Sequence, residues 1–146
     1  AEDEEDVAEL AANLDDCTPD QVARLAEALL EAGAVDAWVV PILMKKGRPA
    51  WTVCALATRD RREAVGAAFF DESPTIGVRV HRVDRVRLAR EEGTAGTSLG
   101  PVRVKRIYRD GRLVRTAAEA DDLRRVAREH GLTVMQVRDR LASELG

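Results

Sequence analysis

The amino-acid sequence predicts an α+β fold, and three observations carry that prediction. Stretches with helical spacing alternate with apolar runs of strand length, two such runs are joined by a short cationic turn, and the C-terminal part returns to helical spacing behind capping signals. At 146 residues and 16.0 kDa the chain is expected to form one domain with a real core. The expected division is a mobile acidic leader over residues 1–8 and a single domain over 9–146.

Residues 7–14, VAELAANL, read as a first strand. In CTPDQVARLAEALLEAG, Thr18 is the expected N-cap, Pro19 the first helical residue, Gln21 the partner in a capping box and Gly33 the stop. Val22, Leu25, Ala26, Leu29 and Leu30 form the apolar stripe of that helix. AVDAWVVPILMKK and AWTVCALAT then read as two strands of an antiparallel hairpin closed by KKGRP, with Pro41 placing the first of them at a sheet edge or giving it a bulge there. DRREAVGAAFF is expected to be a helix capped by Asp60 and Glu63, with Val65, Ala68 and Phe69 inside, and IGVRVHRVDRVRL a long strand.

This βαββαβ order is that of a ferredoxin-like core, four antiparallel strands with two helices on one face. EEGTAGTSLG is expected to be a loop. PVRVKRIYRDGRLVR adds a hairpin around Asp110-Gly111, and two further capping boxes, Thr116 with Glu119 and Thr133 with Gln136, open a C-terminal helical hairpin.

Composition narrows the function classes. Aromatic residues are 3% of the chain, and Trp38, Trp51 and Tyr108 are too dispersed for the stacking pattern by which such sheets bind RNA, so nucleic acid is a poor fit. Cys17 and Cys54 lie far apart without metal-ligand spacing, and His81 and His130 stand alone, which leaves a zinc site unsupported. Neither Ser98 nor Ser143 has a visible histidine partner for acyl transfer. No segment approaches the roughly 18 apolar residues of a membrane span, and cytoplasmic residence is the default expectation. The net charge of -3 conceals a segregation: residues 1–36 hold twelve acidic side chains against Arg24, whereas residues 76–116 hold eleven Lys and Arg against four acids. Such a field suits a polyanionic ligand, an acidic subunit surface, or simply two solvated faces.

Three short stretches are candidates for chemistry. Asp15 and Asp16 crowd one chain reversal before a capped helix, an arrangement that serves either a Mg²⁺ or Mn²⁺ ion completed by substrate phosphates or the turn and the helix dipole. Lys45, Lys46 and Arg48 surround Gly47 in one turn, as a phosphate grip or as the solubilising charges of a hairpin tip. SPTIGVR offers the Thr75 hydroxyl, Gly77 and Arg79 at a strand entrance, and Arg103, Lys105 and Arg106 extend a basic surface. No Walker or GxGxxG motif is present.

NLDDCTPDQ, DAWVVPILMKKGRPAWTV, SPTIGVRV and GPVRVK, in this order and over nearly the whole chain, resemble the C-terminal domain of the LarC family. The resemblance implies part of a CTP-dependent nickel insertase, with nickel as the substrate metal placed into a pyridinium-3,5-bisthiocarboxylate mononucleotide. It also implies binding of CTP with Mg²⁺ or Mn²⁺, assembly as a homotrimer, and an N-terminal domain of the same protein as partner, so the chain is expected to be a C-terminal piece. Carried across, the family's acidic turn matches Asp15 and Asp16, its lysine-rich hairpin Lys45, Lys46 and Arg48, and its strand entrance Thr75, Gly77 and Arg79. Asp15 and Asp16 are then the expected metal ligands, and Lys45, Lys46, Arg48, Thr75, Arg79 and Lys105 the expected nucleotide contacts. A non-catalytic oligomerisation or regulatory module remains the alternative, with an RNA-binding module behind it.

Overall fold

The structure, a computed structural model, describes the backbone of residues 2–146 and the side chains from Asp6 onward. Two compact units divide the chain, one over Glu4–Arg85 and one over Val86–Gly146 to which the residues before Glu4 also belong.

The first unit holds β1 (Glu2–Leu14), α1 (Pro19–Glu31), β2 (Asp36–Met44), β3 (Arg48–Thr58), α2 (Arg62–Glu72) and the start of β4 (Arg79–Thr97). Its strand order, β2-β3-β1-β4, is the ferredoxin-like order, and both β1 and β2 run antiparallel to β3. Side chains alternate across a strand. Ala8, Leu10, Ala12 and Leu14 of β1 and Val53, Ala55 and Ala57 of β3 therefore point to one face, where Val22, Leu25 and Leu29 of α1 and Val65 and Phe69 of α2 cover them. Burying each of the larger ones contributes about 1.5–3 kcal/mol.

Alanine serves on this strand because the helices pack close to it, and a short side chain at Ala8 and Ala12 leaves room for Leu25, Leu29 and Phe69 in the same cluster. β2 is an edge strand, where Pro41 costs no ladder bond to a neighbour on its free side. The α1 capping box forms as the spacing predicts: the Thr18 hydroxyl accepts from the Gln21 N–H at 3.2 Å, and the Gln21 carboxamide accepts from the Thr18 N–H at 2.9 Å.

The second unit holds the remainder of β4, then β5 (Gly100–Arg109), β6 (Arg112–Ala118), α3 (Ala120–His130) and α4 (Val134–Leu145). β4 and β6 flank β5, all antiparallel. Val102 and Val104 of β5 pack with Leu123 and Val126 of α3 and Val137 and Leu141 of α4. The β5–β6 turn is the predicted Asp110-Gly111, with φ of 50° and 75°, the pair of left-handed residues that a tight hairpin requires. Thr133 and Gln136 cap α4 reciprocally, and Gly131 ends α3 at φ 65°.

Several expectations are corrected. β1 starts at Glu2, and Val7 and Ala8 are buried, so strand occupies most of the span read as a mobile leader. Val7 pairs with Thr58 and Ala8 with Ala57, ladder contacts that lie fifty residues away and leave no local trace. Residues 91–97, read as loop, continue β4: Glu91 to Thr97 pair with Arg106 to Gly100, because β5 supplies a ladder that overrides the weak strand propensity of Gly93 and Gly96. Ser98 and Leu99 alone make the turn.

Two capping assignments also fall. Asp60 accepts from the Thr58 hydroxyl at 2.6 Å, and α2 begins after Arg61 with no side-chain cap. Thr116 lies in β6 opposite Arg106, and Glu119, the N-cap residue of α3, directs its carboxylate to Lys105 at 3.1 Å.

Candidate functional site

The predicted acidic turn and the predicted cationic hairpin meet. Asp15 directly follows β1, Arg48 opens β3, and the Arg48 guanidinium lies 3.8 Å from the Asp15 carboxylate. The meeting follows from the antiparallel register, in which Leu14 pairs with Trp51 and so brings the end of β1 beside the beginning of β3.

Between Met44 and Arg48 the chain reverses through Lys45, Lys46 and Gly47, with φ of 64° at Lys46 and 66° at Gly47. Glycine meets that conformation at no steric cost, whereas lysine in it costs about 1 kcal/mol. A Cβ at position 47 would touch nothing, so the backbone there is open to close approach. Among the described residues neither Lys45 nor Lys46 has an ion-pair partner. Pro41, Ile42, Leu43, Pro49 and Trp51 line an apolar groove on the same hairpin.

Asn13 and Thr52 face each other in the β1–β3 ladder, on the side of the sheet turned away from α1 and α2. The Asn13 carboxamide oxygen accepts from the Thr52 hydroxyl at 2.8 Å and from Nη2 of Arg79 at 3.1 Å. Arg79 is thereby held against the end of β1, two residues before Asp15. Thr75 forms a local turn in which its hydroxyl donates to the Gly77 carbonyl at 2.7 Å and accepts from the Gly77 N–H at 3.4 Å. Lys105 lies in the second unit, in β5, bonded to Glu119.

Among the described residues no three His, Cys, Asp or Glu side chains gather into a metal cluster. Asp15 and Asp16 offer two adjacent, hard carboxylate ligands, the donor set of a Mg²⁺ or Mn²⁺ ion that takes its other ligands from water and phosphate. The Cys17 thiol donates toward the Asp16 carboxylate across 4.0 Å, and burial, then Asp16 and Asp15, push its pKa up. It therefore stays protonated at neutral pH in the free chain. Cys54 is shifted the same way, by burial and by Glu9, with Arg79 opposing.

Of the sequence candidates, the structure brings together Asp15, Arg48 and the lysines of one hairpin, and it ties Arg79 to the strand that carries Asp15. Asn13 and Thr52 escaped the sequence reading. The alternation of β1 places Asn13 on the same side as a residue two positions on, the one signal that pointed to it beside Asp15.

The chain matches the family described as "Nickel insertion protein" over residues 1–138 and belongs to that family. A putative nickel insertion protein of Myxococcus xanthus is 44% identical over 135 residues, which are 92% of this chain and 35% of the relative. A relative in Akkermansia muciniphila, named pyridinium-3,5-bisthiocarboxylic acid mononucleotide nickel insertion protein, is 45% identical over 128 residues, 88% of this chain and 32% of its own length. The chain thus spans about a third of these relatives.

Among solved structures it is similar to LarC2, described as the C-terminal domain of a cyclometallase involved in the synthesis of the NPN cofactor of lactate racemase, with a TM-score of 0.81 at 30% identity over 96% of this chain and 95% of that one. Protein MK0293 of Methanopyrus kandleri, 21% identical with a TM-score of 0.67 over 94% of this chain and 85% of its own, shares the fold.

Proposed function

We propose that this chain is the CTP- and divalent-metal-binding part of a nickel insertase that metallates pyridinium-3,5-bisthiocarboxylic acid mononucleotide, nickel being the substrate metal. The observation that carries the reading is the junction of Asp15 with Arg48 beside two lysines that lack ion-pair partners among the described residues. Lys46 and Gly47, like Asp110 and Gly111, take the left-handed pair of positions of a tight hairpin, and lysine at the first of them leaves an ammonium at the tip for an anion. Family membership and the two relatives named above support the same reading.

In this reading Lys45 and Lys46 act as mobile point charges and Arg48 and Arg79 as planar forks on the triphosphate. Asp15 and Asp16 hold Mg²⁺ or Mn²⁺, which when bound neutralises phosphate charge. Arg48 takes part of the Asp15 carboxylate in the free chain, and ligand binding redistributes that pair. The apolar hairpin groove gives a base or pyridinium ring a surface to rest on. No nucleophile is required of the protein, because transfer at phosphorus depends on positioning and charge neutralisation. Thr75 and Lys105, the remaining expected contacts, are engaged locally, Thr75 with Gly77 and Lys105 with Glu119.

The same reading includes a homotrimer, an N-terminal domain as partner and a cytoplasmic setting. No helix among the described residues is long and apolar enough to cross a membrane. Calorimetry with CTP, with and without Mn²⁺, tests the central claim. Binding is expected to depend on the metal and to weaken about 100-fold or more in the Lys45→Ala, Lys46→Ala double variant, the loss of two charge-assisted contacts. Absence of CTP binding by the wild-type chain at low salt, or binding indifferent to both lysines, overturns it.

A further inference from the structure

We infer that Asn13 is a positioning residue, which holds the Arg79 guanidinium over the helix-free face of the sheet so that it meets the triphosphate. The inference rests on the nucleotide reading above and deepens it.

Both groups bonded to the Asn13 carboxamide oxygen are donors, the Thr52 hydroxyl at 2.8 Å and Nη2 of Arg79 at 3.1 Å. A carboxamide can be flipped, exchanging its oxygen and nitrogen, and two donors on one side decide which way it lies. Thr52 sits opposite Asn13 in the β1–β3 ladder and is the rigid member of the set. β-Branching restricts its χ1. Thr52 thus sets the amide, and the amide sets Arg79, which comes from β4, 66 residues further along the chain.

A free arginine at a strand end samples many rotamers and loses that freedom when a ligand immobilises it. Here one of its five donors is already engaged in the ligand-free chain, leaving the remaining ones for an anion. Asn rather than Asp is the suitable acceptor. A carboxylate at position 13 would neutralise Arg79 and repel phosphate, whereas a neutral oxygen holds the guanidinium with its charge intact. The amide nitrogen has no partner among the described residues.

Two measurements on the full chain test this. The first is NMR of the arginine Nε–H groups without nucleotide, comparing the wild type with Asn13→Ala and Thr52→Val. The Arg79 signal is expected to show greater ps–ns mobility in Asn13→Ala and an intermediate change in Thr52→Val; unchanged Arg79 mobility in Asn13→Ala overturns the positioning role whatever the nucleotide result. The second is calorimetry with CTP and CMP in the presence of Mn²⁺ for Asn13→Ala, Arg79→Ala and the double variant.

CTP affinity is expected to fall about 10-fold in Asn13→Ala, CMP affinity to change much less, and the double variant to bind no more weakly than Arg79→Ala alone. Additive losses, or equal losses for CTP and CMP, overturn the inference, since a purely structural asparagine would weaken both ligands alike. If the wild type binds neither nucleotide, the nucleotide reading itself falls and takes the ligand part of this inference with it, and the NMR comparison shows which of the two claims failed. Urea midpoints for each variant verify that the fold is retained.

Discussion

Phe69 and Phe70 are adjacent, chemically identical and both in α2, yet the structure assigns them different fates. Phe69 is fully buried among Leu10, Leu25, Leu29 and Val65, whereas Phe70 is 51% exposed along a groove shared with Val78 and Val80. Phe69→Ala removes a whole buried ring and leaves a cavity that the surrounding leucines fill only in part, a loss of about 3–5 kcal/mol. Phe70→Ala removes a ring already half in water. Half of a fully buried side chain's transfer term is about 1 kcal/mol, with no closed cavity left behind.

The expected difference is therefore about 2–4 kcal/mol between neighbouring positions. For a chain of this size it corresponds to a thermal midpoint roughly 6–12 °C lower in Phe69→Ala than in Phe70→Ala. Urea unfolding followed by tryptophan fluorescence reads it directly, because Trp51 packs against the same core cluster. Equal losses at the two positions, or a larger loss at Phe70, would show that α2 is rotated from the orientation described here.

Other outcomes follow from the electrostatics. The Asp122 carboxylate is buried, accepts from the Arg103 side chain and the Arg103 N–H, and its pKa is lowered from 3.8 to about 2, chiefly by those two bonds and against the effect of burial. A carboxylate with a lowered folded-state pKa adds stability that is complete above its unfolded value and is lost as pH falls through the folded one. Acid unfolding of the wild type should therefore steepen between about pH 4 and pH 2, and Asp122→Asn should be less stable at neutral pH and flatter across that window; an unchanged acid profile would remove Asp122 from the account. Cys17, held protonated by burial and by Asp16 and Asp15, should react with iodoacetamide more slowly than a free thiol at pH 8, and Cys54 only on unfolding. Fast alkylation of Cys17 in the native protein would contradict the raised pKa.

Local chemistry was legible wherever one short stretch contains both partners. The Thr18–Gln21 and Thr133–Gln136 boxes, the left-handed stop at Gly33 and the Asp110-Gly111 turn each depend on residues a few positions apart. Val22, Leu25 and Leu29 of α1 and Val65 and Phe69 of α2 came from spacing, whereas Leu30, read into the same stripe, is 50% exposed; the ferredoxin-like order came from the succession of those elements. The same local logic misled at Thr116 and Asp60. Each has the spacing of a cap, but Thr116 gains more from the β5 ladder, and Asp60 from the Thr58 hydroxyl. Residues 91–97 look like loop because glycine and threonine are judged without the strand they pair with.

By itself the sequence determined where helices begin and stop, which residues turn inward, and which acidic and basic residues were worth watching, since these are properties of neighbours along the chain. Which of those charges meet was decided only by the tertiary structure. The β1–β3 register joins Asp15 to Arg48, the Thr52–Asn13–Arg79 chain crosses three strands, and Lys105 is turned toward Glu119, all by pairings between residues that are distant in sequence. Contact between distant residues depends on how strands align and pack, and no local pattern encodes that alignment.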